Sequence, residues 1–242
     1  MISKKVIHKP RKIDTLSSGI ISILVHDINN LLGIIKGYFD RALMDEEELP
    51  KGLVESLPIG LRATEDLARL VLNLADIAKI EENILKLRLE RTDINELIRL
   101  AVAKTKLAAQ DADISLSIGL KKAPVKFNVD KNLILRTVVS LISSAIKSTA
   151  SGGHIGVSAG MSGKSLKISV EDTGFWIPPQ YRRKIFEKYA QAEVKEANLR
   201  RGRGLNLVFC KLAVEAHGGR IWMDSDRKRK VSTVFFMIPG KR

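Results

Sequence analysis

Residues 25–38 read VHDINNLLGIIKGY. The stretch carries one imidazole, His26, beside Asp27 and followed by Asn29 and Asn30, in an otherwise apolar run. Its apolar positions belong to a longer series: Ile20, Leu24, Ile28, Leu31, Ile35, Tyr38 and Ala42. Spacings of three and four predict one stripe on an α-helix. At about 100° per residue, His26 falls roughly 160° from the centre of that stripe, so it is predicted to be exposed. Asn30, one turn on, shares its face. A neutral ring nitrogen attacks electrophiles, a neighbouring carboxylate orients the other ring proton, and an amide positions water. On spacing alone the trio reads equally well as reactive chemistry or as three polar residues on a solvated helix.

Beyond this helix, Asp45–Glu48 and Pro50 break the pattern. A second stripe follows at Ala63, Leu67, Leu70, Leu74 and Ile77, running on to Glu81 and widened by Val71 and Ala78. Two amphipathic helices joined by a short acidic connection form a hairpin. One hairpin buries little surface, and a second copy would complete a four-helix bundle, so a homodimer is expected.

After about residue 86 the pattern changes. LKLRLE (85–90) alternates as a strand, and TDINELIRLAVAKTKLAAQ starts a helix at Thr92. ISLSIGL and VKFNVD read as strands, NLILRTVVSLISSAIKST as a helix, and GGHIGVSAGMSGKSLKISVED as a hairpin. LNLVFCKLAVEAHGG is a helix with a glycine stop, followed by strands IWMDS and VSTVFFMIP. The expected class is α + α/β: a helical-hairpin domain over residues 1–88, then an α/β sandwich with a mixed sheet over 89–242.

Composition sets further bounds. A hydrophobic content of 45% supports a packed core, and 5% aromatics make that core mainly aliphatic. Cys210 is the lone cysteine, so no internal disulfide forms and a reducing, cytoplasmic setting is expected. It lies in a helical pattern, where it reads as core filler. No signal peptide and no transmembrane segment are expected, since GIISILV (19–25) is too short to span a bilayer. The net charge is +14, with basic clusters at KKVIHKPRK, RRGR (200–203) and RKRK (227–230). Such clusters suit nucleic acid, anionic membranes, nucleotide phosphates or acidic proteins, while scattered lysines read as a solvated surface. No helix-turn-helix, zinc spacing or aromatic–basic RNA signature is present, so nucleic acid is not an expected partner.

The motifs in order resemble two-component sensor histidine kinases. VHDINNLL is similar to the family's phosphoacceptor box. LVLNLADIAKIEENILKLRLERTDINELI resembles the second dimerisation helix and its exit. LILRTVVSLISSAIKSTASGG lies in the place of the N box, EDTGFWIPP of G1, KIFEKYAQ of the F box and RGRGLNLVFCKLAVEAHGGRIWMDS of G2. Five boxes in order, from about residue 15 to the end, are far more specific than a lone glycine motif.

The resemblance implies an ATP-binding sandwich of the histidine kinase type and a set of roles. His26 would be phosphorylated, Asp27 would be its acid/base neighbour, and Asn30 would assist dephosphorylation of a response-regulator receiver domain. Asp172 would bind the adenine amino group and Lys147 would approach the phosphates. Gly174 belongs to the G1 pattern, and Gly202 and Gly204 would let the backbone close around phosphate. ATP and Mg²⁺ are the implied cofactors.

Three departures surround that one ligand. Ser144 stands where the family carries its Mg²⁺-binding Asn, with Ser140 at a second customary Asn. Trp176 replaces the second glycine of G1, and Asn206 a third glycine of G2. Ser144 remains the metal candidate, although a hydroxyl has shorter reach than an amide. An indole is obstructive if the glycine served a positive φ or a close ligand approach. The leading expectation is phosphoryl transfer from ATP to His26 and on to a receiver Asp. The alternative is a pseudokinase acting as phosphotransferase, phosphatase or adaptor without using ATP.

Overall fold

The computed structural model describes residues 18–44, 50–121, 123–187 and 205–240. The chain divides into two compact units, Met1–Glu82 and Asn83–Arg242.

The first unit is a helical hairpin of α1 (Ser18–Met44) and α2 (Lys51–Glu81). Its seam buries Leu32, Val71, Ala75 and Ile77. Phe39 presses on Gly60, where a Cβ would lie 2.4 Å from the ring. Lys36 reaches Asp40 one turn on and Glu65 on the opposite helix, at 3.3 and 3.5 Å. The Asp40 hydrogen bond above all, then the charges of both carboxylates, raises the Lys36 pKa above its usual value. The α1 stripe itself stays open: Ile28, Leu31, Ile35 and Tyr38 are all exposed, as are Leu67 and Leu74 of the α2 stripe. α2 begins at Lys51, well before Ala63, and accommodates Pro58 within it. The acidic connection, 45–49, lies outside the described residues.

In the second unit, β1 (Leu89–Asp93) pairs antiparallel with β3 (Lys126–Asp130). The expected strand at 85–90 is therefore displaced. The ladder with β3 begins at Leu89↔Asp130, so residues 85–88 have no ladder partner despite their alternation. The start of α3 (Ile94–Asp111) is corrected too: Thr92 lies in β1, and the Asp93 carboxylate caps the helix by accepting from the N–H groups of Asn95 and Glu96.

β2 (Ser115–Leu120), β4 (His154–Ser162), β5 (Ser165–Asp172), β7 (Val231–Ile238) and β6 (Arg220–Asp226) form one sheet in that order. β2 and β4 are parallel and the other pairs antiparallel, so the sheet is mixed. Helices α3, α4 (Lys131–Ser148) and α5 (Leu205–Ala216) pack together and against this sheet. Between them Ile98, Ile134, Ile142, Ile155, Ile168, Phe209 and Phe236 are fully buried. Cys210 is core, its Sγ 3.6 Å from the Thr137 carbonyl.

His217 closes the helical layer. Its Nδ1–H donates to the Ala213 carbonyl at 2.7 Å, and Nε2 accepts from the Asp130 N–H at 3.0 Å. Two opposite hydrogen bonds fix one neutral tautomer and tie the end of α5 to the cap of α4. Among the described residues no helix is long and apolar enough to cross a membrane.

Candidate functional site

His26 and Asn30 lie on α1 of the first unit, and both side chains are exposed. The i, i+4 spacing brings the Asn30 amide nitrogen to 3.3 Å from His26 Nδ1. With the amide N–H donating, Nδ1 is the acceptor and the ring proton sits on Nε2. With the amide turned over, its oxygen accepts from Nδ1–H and the unprotonated nitrogen is Nε2. The amide orientation and the ring tautomer are therefore coupled. The side chain of Asp27 lies outside the described residues.

Of the residues expected at a nucleotide, Asp172, Gly174 and Lys147 lie in the second unit, around the end of β5. Asp172 is 3% exposed, held in the ladder opposite Ile155 and Ser232. Its Oδ1 accepts from the Gly174 N–H at 2.9 Å, an Asx turn that leads the chain out of the sheet. Gly174 is required by space. A Cβ there would lie 2.5 Å from the Ser148 carbonyl oxygen and 2.6 Å from Asp172 Oδ1. The last turn of α4 is thus packed against the loop after Asp172. On that turn Lys147 is exposed, and the Ser148 hydroxyl donates to the Ser144 carbonyl at 2.7 Å. Gly202 and Gly204 lie outside the described residues.

Trp176 carries no backbone strain. It is not among the positive-φ residues, and neither is Asn206, which lies in the first turn of α5. The Trp176 ring is half-buried with the Arg227 guanidinium carbon 5.3 Å from its centroid. Its neighbours are pinned to the β6–β7 hairpin. The Ile177 N–H donates to Ser225 Oγ at 3.1 Å, the Ser232 hydroxyl donates to the Phe175 carbonyl at 3.0 Å, and the two hydroxyls meet at 2.8 Å. Sequence reasoning missed this pair. The available signal is a serine at an inward position of each strand, where apolar residues otherwise alternate.

The adenine end of a nucleotide fits these residues: a buried carboxylate, held by a glycine whose place no side chain could take. The metal end does not. Ser144 offers one hydroxyl, and the Ser140 hydroxyl is buried without a hydrogen-bond partner among the described residues. Among the described residues no group of three or more His, Cys, Asp or Glu side chains is placed to hold a metal ion.

Residues 129–242 match the family of histidine kinase-, DNA gyrase B- and HSP90-like ATPases. The hybrid signal transduction histidine kinase D of Dictyostelium discoideum is 27% identical over 225 residues, 90% of this chain. The sensor protein SrrB of Staphylococcus aureus is 24% identical over 214 residues, 88% of this chain. The chain spans only 14% and 36% of the length of these relatives. In fold, it resembles full-length ShkA in complex with AMPPNP, with a TM-score of 0.69, 20% identity and coverage of 93% of this chain and 46% of that one. Histidine kinase ThkA in complex with response regulator TrrA gives a TM-score of 0.58 at 22% identity, covering 92% of this chain and 61% of that one. With the ATPase match over residues 129–242 and likeness to sensor kinases over nearly its full length, the chain is similar throughout to a two-component histidine kinase core.

Proposed function

We propose that this chain works in two-component phosphoryl transfer, as a homodimer paired through its helical hairpin, with His26 carrying the phosphoryl group. A receiver domain of a response regulator is the partner. The observation that carries the reading is the exposed His26–Asn30 pair, whose side chains meet at 3.3 Å, in a chain with an ATPase unit of the histidine kinase-, DNA gyrase B- and HSP90-like family.

The step at His26 is a displacement. The free ring nitrogen forms a bond to phosphorus as the donor's leaving oxygen departs, and the other nitrogen keeps its proton. On the receiver the same helix face works in reverse, with the Asn30 amide holding a water without adding negative charge beside the phosphate. Asp172 and Gly174 would hold the adenine of ATP, with Lys147 toward its phosphates. Bound there, ATP would supply the phosphoryl group. Buried Cys210 fits a reducing, cytoplasmic setting.

Ser144 and Ser140 favour a second reading, in which His26 exchanges phosphate with a receiver while the α/β unit turns ATP over poorly. Offering a phosphorylated receiver domain tests the role of the helix face. Asn30→Ala should slow loss of phosphate from the receiver by roughly a hundredfold, the lower end for a positioned acid–base group. Unchanged dephosphorylation in both Asn30→Ala and His26→Gln would leave the face without a chemical role.

A further inference from the structure

At the end of the sheet where β5 stops at Asp172, the loop 173–177 runs against the β6–β7 hairpin through the Ser225–Ser232 pair. This end displays Phe175, which is 56% exposed, beside half-buried Trp176. The hairpin turn next to them is Arg227-Lys228-Arg229-Lys230, all four exposed. The turn is built, since Asp226 Oδ1 accepts from the N–H groups of Lys228 and Arg229 at 2.8 and 3.2 Å. Arg182 braces the base, donating to the carbonyls of Ile177 and Ser225 and to the Asp224 carboxylate. Two aromatics and four exposed cations thus lie together at one end of the sheet, joined by the Arg227–Trp176 contact and the hydrogen bonds of Phe175 and Ile177 to the hairpin. Of the two carboxylates there, Asp224 is paired with Arg182 and Asp226 caps the turn's own N–H groups.

We propose that this end of the sheet docks on the surface of an anionic phospholipid bilayer. An exposed Phe and a partly covered Trp suit the boundary between headgroups and acyl chains, and lysine and arginine beside them pair with lipid phosphates. Nucleic acid fits less well. Trp176 is half-buried with Arg227 over its ring, which leaves Phe175 as the one well-exposed ring at this end for a base to stack on. The inference stands whether or not the neighbouring nucleotide residues are used.

The test is co-sedimentation of the full chain with vesicles of phosphatidylcholine alone and of phosphatidylcholine with phosphatidylglycerol. Binding is expected only to the second, and it should weaken with salt. Each cation near the surface contributes roughly fivefold, so Lys228→Ala with Arg229→Ala should lower the partition coefficient roughly thirtyfold. Phe175→Ser should lower it roughly tenfold. All three side chains are exposed, and circular dichroism checks that the fold is kept. With Trp222→Phe, Trp176 becomes the sole indole, and its emission should shift to the blue with phosphatidylglycerol vesicles only. Equal binding to both vesicle types, no binding to either, or unchanged binding by the variants would overturn the proposal. So would capture of a single-stranded oligonucleotide at concentrations where vesicles do not bind, with the same variants abolishing it.

Discussion

The hairpin and the α/β unit are incomplete in opposite ways. In the hairpin the chemical face is whole: His26 and Asn30 are exposed and hydrogen-bonded to each other. Its packing is not, because Ile28, Leu31, Ile34, Ile35 and Tyr38 lie open along one helix. In the α/β unit the packing is closed around Phe209, Phe236 and a layer of buried Ile. Its chemical end is altered, at Ser140, Ser144 and Trp176. The hairpin leaves apolar surface open beside its exposed polar pair, while the α/β core closes on itself.

The largest effect is expected where packing is open. Leu31 and Ile35 are 61% and 45% exposed, and burying them in a bundle would stabilise the pair by about 1.5–3 kcal/mol for each fully covered side chain. The wild type should therefore scatter light as about twice its 26.9 kDa chain mass. Leu31→Arg with Ile35→Arg should yield a folded monomer. Dimers that persist in this variant would place the pairing surface elsewhere.

In the closed unit, the sharpest steric probe is Gly174→Ala. Its new methyl would meet the Ser148 carbonyl, a backbone atom with little room to move. Overpacking of this kind typically costs about 1–3 kcal/mol. Thermal melting should fall accordingly, and nucleotide affinity should fall with it because Asp172 is displaced. A melt unchanged from wild type would show that the loop is looser than its contacts imply.

His217→Leu should cost a comparable or smaller amount, about 1–3 kcal/mol, because it leaves the Asp130 N–H and the Ala213 carbonyl without the imidazole. Its effect should appear in the α/β unit alone. Hydrogen exchange that sped up equally in the hairpin would mean that the two units unfold together.

Where a residue's role follows from local pattern, the sequence was a good guide. The order of helices and strands after residue 93 is set by periodicity, glycines and caps, as at Asp130 and Gly218. Pattern failed where a partner decides. LKLRLE alternates as a strand should, yet the ladder starts only at Leu89, where β3 begins to pair. The α1 stripe and its need for further cover were legible, but the seam at Leu32 was not, since it is chosen by the opposing helix. At the site, Asp172 and Gly174 follow from a motif. The Arg227–Trp176 contact and the Ile177–Ser225 bond do not, because they join segments about 50 residues apart.

The central claim, intact histidine chemistry beside an altered nucleotide end, is tested most directly by labelling His26 from two donors. A small phosphoramidate should place acid-labile, base-stable phosphate on the wild type, and His26→Gln should abolish it. Mg²⁺-ATP should label the same residue slowly, with weak binding that depends little on Mg²⁺. Ser144→Asn with Trp176→Gly should raise the ATP-driven rate roughly tenfold or more, the gain expected from about 1.4 kcal/mol of better positioning and charge neutralisation. Rapid labelling of the unmodified chain by Mg²⁺-ATP would contradict the claim at its nucleotide end, and no label from either donor would contradict it at His26.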